Sequence, residues 1–163
     1  MKYIIICLFI LFSNRINAQQ SPFLVTNFTI NGKTFKCEQE YGSTHIYNQQ
    51  NLSRHREPES HPKPYCNMAR LDYPKIRNVL YTVFNATQRA TFKLNDTSLG
   101  ITFYIAPTTG EIKEMTFYVG KNTPFTQDNI YQLETGLKGL IMPSKPPCAP
   151  MTWIVFPLSV YWE

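Results

Sequence analysis

Residues 101–119, ITFYIAPTTGEIKEMTFYV, carry the reading that decides the fold. Ile101, Phe103 and Ile105 alternate with Thr102, Tyr104 and Ala106. An alternation of period two places one set of side chains on each face of a strand. Pro107 to Gly110 is a turn. Ile112, Met115, Phe117 and Val119 follow, with the period slipping between 112 and 115, where a β-bulge absorbs the extra residue. The stretch is a β-hairpin with one apolar face, and such a face has to be covered by another layer.

Two helices flank it. In Pro74 to Ala86, the residues Ile76, Val79, Leu80, Val83 and Phe84 form one apolar stripe at helical spacing. Pro74 suits a first turn, and Asp72 favours the positive end of the helix dipole. In Thr126 to Gly139, Thr126 is the N-cap, Asp128 sits in the first turn, and Phe125 with Ile130 matches a hydrophobic staple. Ile130, Leu133 and Leu137 make the buried stripe. Ala90 to Leu94 reads as a short strand. Pro143 to Pro150 is a rigid connector, and Met151 to Trp162 is a last strand. Pro157 interrupts that strand and marks it as an edge or a bulge, because a proline has no N–H to give to a ladder.

Towards the amino terminus, Phe23 to Glu38 reads as a second hairpin turning at Asn31-Gly32, a pair that accepts positive φ at both positions. Leu24, Phe28 and Ile30 share a face of its first strand, and Phe35 and Cys37 supply the second. Residues 40–72 show no period of either kind and read as a long loop. All three histidines, His45, His55 and His61, fall there, at spacings that match no metal-ligand pattern.

The first residues read as a leader. Lys2 is a positive n-region, Tyr3 to Phe12 an apolar run too short to span a bilayer, and Ser13 to Ala18 a polar c-region ending in a small residue. Residues 1–18 are thus a signal peptide, and 19–163 form a single domain exported to the periplasm or outside the cell. No later stretch has the apolar length of a membrane helix. The formal net charge is +5, and Lys2 and Arg15 leave with the leader, so the remainder is too mildly basic to argue for nucleic acid. Aromatic residues make up 14% of the chain, which favours strands. Cys7 is discarded with the leader. Of Cys37, Cys66 and Cys148, the last two lie in Pro-flanked irregular segments and are the expected disulfide, leaving Cys37 as a buried thiol on a strand.

The order from Tyr73 onward is helix, hairpin, helix, strand. Tyr73-Pro74, the run ITFYIAPTTGEI from Ile101, the helix from Thr126 and the strand WIVFPLSVY from Trp153 to Tyr161 resemble the carboxy-terminal domain of TonB, the energy-transducing protein of Gram-negative bacteria. The resemblance covers residues 73–163. The membrane anchor and Pro-rich linker of TonB have no counterpart here, so energy transduction is not implied. The docking mode is, in which an extended peptide adds a strand to a sheet edge.

The expected fold is therefore α+β. It is an antiparallel sheet with two helices packed on one face, TonB carboxy-terminal-like from residue 73 to 163 and preceded by an amino-terminal hairpin over 19–39. The expected function is that of an exported binding module. It would recognise a peptide segment of an outer-membrane or periplasmic protein along Thr152, Trp153, Ile154, Val155 and Phe156. The alternatives are a purely structural secreted protein and a hydrolase using Cys66 with His61 or His55. The sequence contains no G-x-S-x-G, no H-E-x-x-H and no glycine-rich phosphate loop. No cofactor and no metal are implied. Amino-terminal sequencing of the exported protein is expected to begin at Gln19, and a start at Met1 would remove the argument about compartment.

Overall fold

The computed structural model describes residues 21–53, 71–143 and 153–162. In chain order the elements are β1 (Asn27–Ile30), β2 (Lys33–Glu40), β3 (Ser43–Asn48), α1 (Tyr73–Val83), α2 (Ala86–Leu94), β4 (Leu99–Ile105), β5 (Ile112–Gly120), α3 (Gln127–Leu137) and β6 (Ile154–Val160). The strands form a six-stranded sheet in the order β1-β2-β3-β5-β4-β6, every pair antiparallel. The α+β class and the amino-terminal hairpin hold. No helix among the described residues is long and apolar enough to cross a membrane.

The hairpin from residue 101 is β4 and β5. Tyr104 pairs with Glu114 while Ile105 pairs with Ile112, so Lys113 is the bulged residue. Asn31 and Gly32 both take positive φ in the β1–β2 turn. One row of partners, Cys37, Ile46, Phe117, Ile101 and Leu158, crosses five strands on the same face. The first four are buried, and Leu158 packs against them at the margin. Burying that row supplies the main driving force, at about 25 cal/mol for each Å² of apolar surface removed from water.

Helices α1 and α3 touch each other, and α3 touches β1 and β5. Ile76 and Leu80 of α1 and Ile130, Leu133 and Leu137 of α3 are buried, with Val79 and Val83 packed beside them. The α3 cap is as expected: Thr126 and Asn129 form a reciprocal capping box. Glu134 on the same helix is buried and accepts from Lys33 Nζ and Asn48 Nδ2, each at 2.8 Å, which fixes α3 over the first three strands.

Three readings are corrected. Residues 40–72 are not all loop, because β3 lies inside them and occupies the middle of the sheet, between β2 and β5. Its inward residues include Thr44, which donates to Gln39, and Asn48, which donates to Glu134. Polar groups paired in this way break the apolar alternation that marks a strand. The turn before it, Tyr41-Gly42, has positive φ at both positions, and tyrosine at the first one hides the signal. Secondly, Ala90–Leu94 is the end of helix α2, not a strand. Asn85 caps α2 in a box with Gln88, and α1 therefore ends at Val83 instead of continuing to Ala86. Thirdly, the described helices number three, not two.

The α1–α3 contact yields a prediction. A Cβ on Gly136 would lie 2.7 Å from Val79 Cγ1. Alanine favours a helix over glycine by about 1 kcal/mol, whereas overpacking costs about 1–3 kcal/mol. Gly136→Ala is expected to lower stability in urea titration in the parent chain and to raise it in a Val79→Ala background.

Candidate functional site

Among the described residues, strand β6 has a neighbour on one side only, β4. The direction of its backbone groups follows from alternation across the sheet. Cys37 N–H donates to Thr26 C=O on the β1 side, so Lys36 and Glu38 turn their backbone groups towards β3. Carried through the registered pairs, this points Thr102 towards β5 and turns Phe156 and Leu158 towards β4. Val155, Pro157 and Ser159 face the open edge. Pro157 lies opposite Thr102, where its missing N–H costs the β4 ladder nothing.

A groove of about 730 Å³ runs between α1 and the second half of β6. Its floor is Ile76, Leu80, Leu158 and Val160, and its rim carries Tyr73, Arg77, Tyr81 and Tyr161. Tyr73 and Tyr161 are largely exposed. The guanidinium of Arg89 stacks over the Tyr81 ring at 3.7 Å and donates to Phe84 C=O at 2.6 Å, which holds that rim tyrosine in place. The carboxyl end of β6 is anchored by Trp162, whose indole N–H donates to Thr97 C=O and whose ring meets Phe84 and Phe92 edge-on.

Of the residues expected to bind, Thr152 lies outside the described residues. Trp153 is half-buried, with its indole N–H buried and without a hydrogen-bond partner among the described residues. Ile154 is core. Val155 is exposed at 46%, and Phe156 packs at the margin of the core opposite Phe103. The groove adjoins the other half of the strand, Pro157 to Trp162, which the sequence reading left out. A signal for its far wall was present in the sequence: Tyr73, Arg77 and Tyr81 recur every four residues, a second stripe beside the apolar one.

Cys66, Cys148, His55 and His61 lie outside the described residues, and with them the expected disulfide and the hydrolase pairings. His45 is fixed in β3, its ring edge-on to Tyr118 and its Nδ1 3.2 Å from Glu40 Oε2, off the hydrogen-bonding direction. Among the described residues no three His, Cys, Asp or Glu side chains gather as a metal site. Cys37 is a free, buried thiol, as the strand pattern implies.

No family model matches the chain, and neither does any curated protein. Among solved structures, the crystal structure of a DUF5043 family protein from Bacteroides uniformis ATCC 8492 is similar, with a TM-score of 0.73. The match covers 88% of this chain and 89% of that one, at 17% identity. The likeness is one of fold. A TonB assignment finds no support in these comparisons.

Burial pushes the Cys37 thiol up to about 11 from 9.0. A thiol whose value is raised in the folded state favours folding fully below pH 9.0, and that contribution is lost as the pH rises towards 11. The parent chain is therefore expected to lose more stability than Cys37→Ala between pH 9 and 11, measured by paired denaturant titrations. Equal slopes would contradict the burial of this group.

Proposed function

We propose that the protein is an exported binding module that takes up an extended segment of a partner protein as an added strand beside β6. The observation that carries this reading is the open β6 edge running alongside the α1 groove. Outward backbone groups of Val155 and Ser159 would supply the ladder, and alternate side chains of the incoming strand would enter the groove. The leader supports a periplasmic or extracellular location, which suits a peptide segment of an outer-membrane or periplasmic protein as partner. The docking mode is strand addition at a sheet edge, with the surface extended from Thr152–Phe156 to the second half of the strand.

The test uses the open edge itself. Val155→Pro removes an N–H that points outwards and leaves the β4 ladder whole, so its melting temperature is expected to fall by only a few degrees. A panel of synthetic ten-residue peptides with alternating apolar side chains would be titrated by fluorescence polarisation. Those that bind the parent chain are expected to bind Val155→Pro about tenfold or more weakly, in line with a lost ladder bond and a displaced strand. Equal affinity for both proteins would overturn the reading.

A further inference from the structure

We infer that the strand added at β6 is β6 of a second copy of this chain, in a two-fold dimer centred on Phe156. The inference rests on the reading of β6 as a docking edge and names its occupant. Charge is the first argument. Without Lys2 and Arg15 of the leader the formal charge falls from +5 to about +3, so two mature copies still repel mildly wherever their cationic surfaces meet. Strand β6, IVFPLSV, has no charged residue, and a two-fold pairing along it sets no like charges opposite one another.

Register is the second argument. A two-fold axis through Pro157 would place two residues without N–H opposite each other and leave both of their carbonyls without donors. Moving the axis to Phe156 removes that conflict. Val155 then faces the partner's Pro157, and Trp153 faces the partner's Ser159, so each proline forfeits a single bond. Phe156 meets the partner's Phe156 at a non-hydrogen-bonded position, where Cα atoms stand about 4.5 Å apart and aromatic side chains pair well. Ile154 meets the partner's Leu158 on the helix-covered face, beside the groove floor. The second copy is thus an uncharged, alternately apolar strand whose proline falls where this edge tolerates it.

The axis makes the prediction position-specific, because only the residue on it faces itself. Under mild copper–phenanthroline oxidation, Phe156→Cys in the full mature chain is expected to form a covalent dimer about fivefold more efficiently than Leu158→Cys. The Leu158 self-distance would be roughly 13 Å, too far for a bond. The parent chain with its native cysteines sets the baseline. Circular dichroism melts confirm that each variant folds. Light scattering on the parent chain, independent of any substitution, is expected to give twice the monomer mass, reverting to one in Val155→Pro. A monomeric parent chain, or cross-linking no better at 156 than at 158, would overturn the dimer. Peptide binding that depends on Val155 would survive that result and keep the broader reading. A dimer with no peptide binding would leave self-pairing as the role of the edge.

Discussion

The contact of Trp162 with three phenylalanines joins what would otherwise be two separate layers. Its ring stands 5.3 Å from Phe84, 4.9 Å from Phe92 and 6.0 Å from Phe125, which come from the end of α1, from α2 and from the residue before the α3 cap. Its indole N–H is satisfied by Thr97 C=O at the approach to β4. A strand held in a sheet from one side depends on such an anchor, because a single ladder leaves its other edge free to fray. The anchor also fixes one end of the groove between α1 and β6, so the groove and the packing of the helices have a common origin.

The sheet is asymmetric for a related reason. The face towards the helices carries phenylalanine and branched aliphatic residues, while the opposite face carries Tyr47, Thr102, Thr116, Tyr118, His45 and Glu114. The chain after β3 lies against that second face. Leu52 and Ser53 give their N–H groups to the two oxygens of Glu114, each at 2.8 Å, and the Asn51 amide reaches Met115 C=O. A carboxylate with two backbone donors is well satisfied despite its burial. This face is thus built from hydrogen bonds, and the chain's apolar burial is concentrated beneath the helices and along β6.

Much of this was legible where a single period dominates. Ile101 to Val119 declared its hairpin and its bulge, and the stripes of α1 and α3 were read correctly, because each element buries one uniform apolar face. Strand β3 was not legible, since Thr44 and Asn48 are made acceptable inside by Gln39 and Glu134, residues distant in sequence or on another element. Helix α2 was missed because its short sequence buries one large residue, Phe92, and its start is written in the Asn85–Gln88 box instead of in a stripe. For the candidate site, Pro157 announced an edge strand. Which half of that strand adjoins a groove depends on where α1 lies, and no local pattern in β6 records that.

The central position of β3 has a kinetic side. Strands β1, β2 and β3 form a meander closed by two tight turns, and α1 to β6 form a second unit with its own hairpin. They are stitched along the β3–β5 seam, where Ile46 meets Phe117 across about 70 residues of chain, and through Glu134 of α3, which holds Lys33 and Asn48. The β1–β3 meander and the β4–β5 hairpin can assemble from nearby contacts, but the seam, and the β4–β6 pairing across about 50–60 residues, each require the closure of a long loop before any contact rewards it. Assembly of the seam and the docking of β6 on β4 are therefore expected to be the late events. Substitutions at Ile46 should act mainly on the rate of unfolding, leaving the early hairpins to form at their own pace.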